Sequence, residues 1–270
     1  MERLEYLQLK TRTCIMSAAH EIPENMKDAF TLNGQIPIYN WYLNDMVPAN
    51  TVIWSNEYLQ TFIDTYTLEN IRSSDTINYE SYTGAAKLHL EAFEKYADCI
   101  KNKKVAIIGT QRPWIEAILV NFGAKEVITV DYNVPVCNHS IIKTISYTDF
   151  CNSSEKYDAI VTYSSLEHSG LGRYGDPLNP NGDIETMEHI YKALHNDGLC
   201  FLGIPVGKDY LVWNAHRIYG EIRLKLMYLD KFKELEWIGC NKEYIYTCPV
   251  PSGNPIWNIQ PVIVLLKTDL

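Results

Sequence analysis

Nowhere does the chain hold the ~20 consecutive apolar residues that a membrane-spanning helix needs, so no membrane association is expected. Its first residues, MERLEYLQLKTRT, are charged throughout and do not join a basic stub to an apolar run, so no secretory leader is expected either. Paired cysteines are missing too. The seven, at 14, 99, 137, 151, 200, 240 and 248, are odd in number and form no CxxC spacing, which argues against a disulfide framework and against a zinc ribbon. A soluble chain in a reducing, cytoplasmic setting fits this usage. Basic residues are the scarcer charge, 24 Lys+Arg against 33 Asp+Glu for a net −9, so nucleic acid is not an expected partner. The run Lys101, Lys103, Lys104 reads as a solvated turn before a strand. Phenylalanine is sparse at 7 against 19 Tyr, and each tyrosine hydroxyl needs a partner. The remainder, 46% hydrophobic and 21% charged over 270 residues, is the composition of a globular protein long enough to bury a large core.

Residues 1-76 carry turn signals (Asn33-Gly34, Pro37, Pro48) and one short apolar-spaced segment around Tyr58, Phe62, Ile63 and Tyr66. They are expected to form a small N-terminal cap, with 77-270 as the main domain. From Tyr79 to Ile100 apolar residues recur at helical spacing. The pattern then changes. KVAIIG (104-109) and EVITVD (126-131) are continuous β-rich apolar runs, and PWIEAILVNFG between them reads as a helix with Pro at its start and Gly123 after its end. Continuous apolar runs imply strands buried on both faces, hence a parallel sheet covered by helices. Further strands are expected at 141-145, 158-163, 199-206, 234-239 and 261-268, with helices at 185-198 and 216-229. The fold predicted is α/β, a doubly wound, mostly parallel sheet of about seven strands.

In such sheets ligands sit beyond the carboxyl ends of the strands where the strand order reverses. The first run ends at Gly109 and opens into Thr110, Gln111, Arg112, Pro113 and Trp114, with one glycine where a dinucleotide site wants three. A diphosphate cofactor is therefore disfavoured. Asp131 ends the second run, where a carboxylate accepts the hydroxyls of a ribose; the alternative is that it caps a turn before Asn133 and Pro135. A nucleoside without a diphosphate meets both observations, and S-adenosylmethionine is the common one. Tyr132 next to Asp131, Asp149-Phe150 after the third strand and Ser164 after the fourth complete the expected cofactor set with Gly109, Thr110 and Gln111.

The densest chemistry is YSSLEHSGLGRYGDPLNPNGD (163-183), where Glu167, His168, Arg173, Tyr174, Asp176 and Asp183 lie among four glycines. A second cluster, Lys208, Asp209, Trp213, Asn214, His216 and Arg217, follows the fifth strand, and the two are expected to face each other across one cleft.

GTQRPWIEA, YSSLEHSGLGRYGDPLNPNGD and GKDYLVWNAHRIYG resemble a domain-of-unknown-function family first catalogued in nematodes, itself similar to class I S-adenosylmethionine-dependent methyltransferases. The resemblance covers about 79-268. It implies a Rossmann-like class I methyltransferase fold in which the last strand inserts antiparallel between the fifth and sixth. It matches Asp131 to the ribose-binding acid, Asp149 to the adenine-side acid and Leu166-Glu167-His168 to the L-E-H that follows strand four in many small-molecule members.

The function expected is methyl transfer from S-adenosylmethionine to a hydroxyl of a small polar acceptor, a sugar or glycan. Alignment and proton removal are then the main tasks of the protein. His168 is the first choice for general base and His216 the second, with Glu167 beside them, since imidazole titrates near working pH. Arg173, Tyr174, Asp176, Trp213 and Arg217 are expected to orient the acceptor. Two alternatives stand beside this: a divalent metal held by Glu167, His168, Asp176 and His216, although no pair has a recognised ligand spacing, and a catalytically degenerate fold that binds a nucleoside or a protein partner.

Overall fold

The computed structural model describes residues 20–46, 52–74, 77, 82–249 and 259–268. The charged first segment, the Pro48 turn, the start of the helix expected from Tyr79 and most of the Pro/Gly-rich connection before residue 259 lie outside these. In chain order the elements are α1 (Lys27–Thr31), β1 (Ile38–Trp41), β2 (Ile53–Trp54), α2 (Asn56–Thr65), α3 (Leu68–Ser73), α4 (Ala85–Lys95), β3 (Lys104–Ile108), α5 (Trp114–Phe122), β4 (Glu126–Asp131), β5 (Val136–Cys137), β6 (Ile142–Ser146) and α6 (Tyr147–Asn152). They continue with β7 (Tyr157–Tyr163), α7 (Gly182–Ala193), β8 (Leu194–Gly203), β9 (Tyr210–Asn214), β10 (His216–Ile218), α8 (Glu221–Tyr228), β11 (Phe232–Ile238), α9 (Tyr244–Thr247) and β12 (Val262–Lys267).

Seven strands form one sheet in the order β11-β12-β8-β7-β3-β4-β6. All run parallel except β12, which pairs antiparallel with both β8 and β11, the insertion the resemblance implied. The sheet is covered on both faces, as continuous apolar runs require. Val105, Ile107, Val127, Val161, Phe201 and Val264 face α2 to α5, whereas Ala106, Ile108, Ile128, Ile160, Leu202 and Ile263 face α7 and α8. The order reverses between β3 and β7, so the carboxyl ends of these strands flank the crevice of the sheet.

The N-terminal segment is packed into this frame. Trp54, Leu59, Phe62, Tyr66 and Ile71 share a core with α4 and α5. β1 lies parallel to β9, whose other neighbour is β10. Among the described residues no helix is long and apolar enough to cross a membrane.

Two sequence expectations need correction. Residues 216–218, expected as the start of a helix, are strand β10, which returns antiparallel on β9, and the helix begins only at Glu221. Its start is fixed by Asp209, whose carboxylate accepts the backbone N–H groups of Gly220 (2.9 Å), Ile222 (2.8 Å) and Arg223 (3.0 Å). The helix expected at 185–198 runs from Gly182 to Ala193, and Leu194 already belongs to β8.

Candidate functional site

The turn after β3 shows what its one glycine is for. Gly109 has φ +73°, and a Cβ on it would lie 1.9 Å from Ser165 Oγ, which leaves β7 on the other side of the crevice. The glycine thus lets two strand ends approach, an office separate from cradling a pyrophosphate. Next to it the Thr110 N–H donates to Asp131 Oδ2 at 3.1 Å, and the Asn133 N–H donates to Oδ1 at 2.7 Å. Asp131 therefore caps its own turn and ties the ends of β3 and β4 together. Burial raises its pKa while the N–H groups of Asn133, Thr110 and Tyr132 counteract the shift. A carboxylate offers about four lone-pair sites, so two direct bonds leave capacity for a diol.

Around this point Gln111 is exposed, and Tyr132, also exposed, lies 4.8 Å from the ring of Tyr147. Asp149 is engaged in capping: the Ser146 hydroxyl donates to its Oδ2 at 2.6 Å, and the Asp149 N–H returns a bond to Ser146 Oγ at 3.0 Å. Phe150, expected to present its ring to a cofactor, is buried in the core between α6 and the sheet.

Across the crevice Ser164 follows β7 with φ +52°, a strained value for a residue with a Cβ. Its hydroxyl donates to Glu167 Oε1 at 2.9 Å, and Gln260 Nε2 donates to the same oxygen at 3.2 Å. Glu167 Oε2 is buried without a partner. Burial pushes Glu167 up to about 7 against these bonds. His168 moves the other way. Its Nδ1 lies 2.6 Å from the carbonyl of Ala215, which can only accept, so Nδ1 carries the proton and Nε2 is left as an acceptor 3.6 Å from Glu167 Oε1. Burial and then the Arg173 charge push His168 down to about 3.

Arg173 reaches this pair from the N-terminal segment's side. Its Nε donates to Asp45 Oδ2 at 2.7 Å and its Nη1 to Ala215 O at 3.2 Å, with the guanidinium 4.9 Å over the Tyr174 ring. The rings of Tyr174 and His216 lie 5.4 and 6.3 Å from that of His168, and Trp41 stands edge-on to His216. The structure thus brings together Ser164, Glu167, His168, Arg173, Tyr174 and His216. It adds Asp45, Gln260 and Tyr82, whose hydroxyl pKa is raised by burial and by the Glu167 charge against the opposing pull of the Ser164 hydroxyl and the Arg173 charge. Sequence reasoning missed these three because each is remote in sequence and lies in no motif.

Three expected acceptor residues have internal duties. Asp176 accepts the N–H groups of Gly170 (2.6 Å) and Gly172 (3.3 Å), so it folds the glycine-rich loop. Trp213 is fully buried against Phe30. Arg217 donates to the carbonyls of Ser169, Asn179 and Pro180 and lies 3.8 Å from Asp183, which is itself clamped by Arg223 at 2.8 and 2.6 Å. Among the described residues no group of three or more His, Cys, Asp or Glu could hold a metal ion.

A doubly wound sheet in this strand order, with the antiparallel strand second from one edge and an acid closing the second crossover strand, defines a Rossmann-like class I methyltransferase fold. The sequence profile of the family described as "Caenorhabditis protein of unknown function, DUF268" matches residues 102–245, more than half of the chain, and the chain belongs to that family. No curated protein matches it significantly. Among solved structures, the N-methyltransferase NodS from Bradyrhizobium japonicum WM9 in complex with S-adenosyl-L-homocysteine is similar at 12% identity and TM-score 0.45, over 80% of this chain and 100% of that one. TehB from Haemophilus influenzae is similar at 17% identity and TM-score 0.44, over 66% and 62%.

Proposed function

We propose that the chain is an S-adenosylmethionine-dependent methyltransferase that methylates a hydroxyl of a small polar acceptor, a sugar or glycan. The observation that carries this reading is the Thr110–Asp131 contact at the crevice of the sheet, facing the Glu167–His168 pair across the Gly109–Ser165 approach. Asp131 would hold the ribose hydroxyls, with Gly109, Thr110, Gln111, Tyr132 and Ser164 around it. Asp149, beyond its bonds to Ser146, and the ring of Tyr147 would face the adenine. The donor brings a methyl group already activated on sulfur. The chain's task is to align the acceptor and take its proton.

Glu167 is the group suited to that proton. Burial holds its pKa up to about 7 and the Ser164 hydroxyl and Gln260 amide hold it in place, whereas His168, pushed down to about 3, stays a neutral ring beside it. His216 is the second candidate, 6.3 Å from the His168 ring. Tyr174, with Arg173 stacked on it, would meet the acceptor. The proposed setting is cytoplasmic, with neither nucleic acid nor membrane as partner.

Isothermal titration with S-adenosylmethionine and S-adenosylhomocysteine is the test. Micromolar binding is expected, with a loss of roughly tenfold or more in Asp131→Ala, about 1.4 kcal/mol. No heat with either ligand at high micromolar concentration sinks the proposal. Binding of NAD in place of both would overturn the argument from the single glycine.

A further inference from the structure

One buried acid has no part in the donor and acceptor roles of the site. Glu116, in the first turn of α5, is fully buried beneath the turn that follows β3. Its Oε1 accepts the Thr129 hydroxyl at 2.8 Å, and its Oε2 is buried with no partner. Thr129 stands two residues before Asp131 on β4, so both side chains leave the same face of the strand. On the other side the Thr110 side chain lies close enough to act on the Glu116 carboxyl, while the Thr110 hydroxyl donates to the Arg112 carbonyl at 2.7 Å. Glu116 therefore adjoins both halves of the Thr110–Asp131 contact.

We propose that Glu116 is a positioning residue which, as a neutral carboxylic acid, keeps the Thr110 turn and Asp131 in the geometry that binds the donor's ribose, and that loss of its proton weakens that binding. The inference rests on the donor reading of the site. A neutral acid has one O–H to donate; a carboxylate only accepts. Once ionised, Glu116 competes with the Arg112 carbonyl for the Thr110 hydroxyl and sets a second anion beside Asp131. The released proton goes to solvent. The titratable groups that face it are Asp131 at the end of β4, Tyr58 on α2 and Cys137 on β5, each coupled to it through space. Burial pushes Glu116 up to about 8, so the change falls just above neutrality.

The experiment is titration of the full chain with S-adenosylhomocysteine at about pH 7 and about pH 9, wild type beside Glu116→Gln, an amide that keeps the neutral form at both. Wild type is expected to weaken roughly fivefold or more on the alkaline side and the variant less than about twofold. An equal loss in both proteins, or no loss in wild type, overturns the inference and leaves the donor reading intact. A folded protein that binds at neither pH overturns both together. Urea unfolding gives a readout free of ligand: the folded wild type keeps a proton that the unfolded chain releases above its ordinary glutamate pKa. The stability of wild type relative to Glu116→Gln should therefore fall as pH rises from about 5 to about 8 and level off beyond. A difference that does not change with pH sinks the proposal even where the variant is poorly folded at one extreme.

Discussion

Glu167 and His168 are neighbours in sequence, and the same burial moves them in opposite directions, the acid up to about 7 and the imidazole down to about 3. Desolvation penalises whichever form is charged, so the carboxyl keeps its proton longer and the ring gives its up earlier. The sequence motif L-E-H points to both, but burial and the Arg173 charge decide which of them can accept a proton at working pH, since the Ala215 carbonyl on Nδ1 only fixes the tautomer of the ring. If Glu167 is the base, methyl transfer rises through about pH 7 as the carboxyl ionises, and Glu167→Gln lowers turnover by roughly a hundredfold or more while changing donor affinity less than about threefold. A Glu167→Gln enzyme with unchanged turnover in a labelled-donor assay on a sugar panel removes the assignment. The tyrosines divide in the same residue-by-residue way. Tyr174 lies against His168 and Tyr132 is exposed near Asp131, whereas Tyr210 is core and the Tyr219 hydroxyl donates to buried Asp183 at 2.9 Å. A surplus of tyrosine therefore reads partly as site and partly as packing.

At the scale of elements, the strands of the main sheet were legible because burial on both faces forces continuous apolar runs, and β4 falls at its expected residues, 126–131. The β9–β10 hairpin was not legible. HRIYGEIRLKLMYL has helix-like spacing throughout, and the device that starts the helix at Glu221 is the side chain of Asp209, more than ten residues upstream with two strands between. The same distance hides what Asp183 does. It reads as one more polar residue of the glycine-rich segment, yet it is the carboxylate set between Arg217 and Arg223, all three almost wholly buried. The guanidinium groups hold its pKa below the ordinary value despite its burial. That network joins α7 to β10 and α8, and so holds the two polar segments against each other. Removing the acid leaves two cations in a dry interior, so Asp183→Ala should cost roughly 3–5 kcal/mol in urea unfolding. A cost below about 1 kcal/mol would show that the arginines are satisfied by the loop carbonyls alone.

For the whole molecule the buried ionisable groups set a pH optimum that the −9 net charge does not reveal. His89 and His168 are held down to about 4 and about 3, so the unfolded chain takes up protons below its ordinary histidine pKa that the folded one refuses, and stability falls as pH drops. Glu167 and Glu116, held up to about 7 and about 8, act in the other direction: folded protein keeps protons that the unfolded chain has lost, and stability falls as pH rises from the ordinary glutamate value to those points. Between the ordinary glutamate and histidine values the two pairs oppose each other. Urea midpoints should therefore be highest and nearly flat from about pH 4.5 to about pH 6.5, then decline by roughly 1 kcal/mol per pH unit for each acid still protonated in the fold, and level off past about pH 8. Acids that are paired in the fold, such as Asp183, steepen the loss on the acidic side alone. The double variant Glu116→Gln, Glu167→Gln is expected to lose the alkaline decline and keep the acidic one. An alkaline decline of wild-type size in that variant would mean the two acids are already ionised in the fold at neutral pH, and with that Glu116 could not serve as the neutral acid beneath the Thr110 turn.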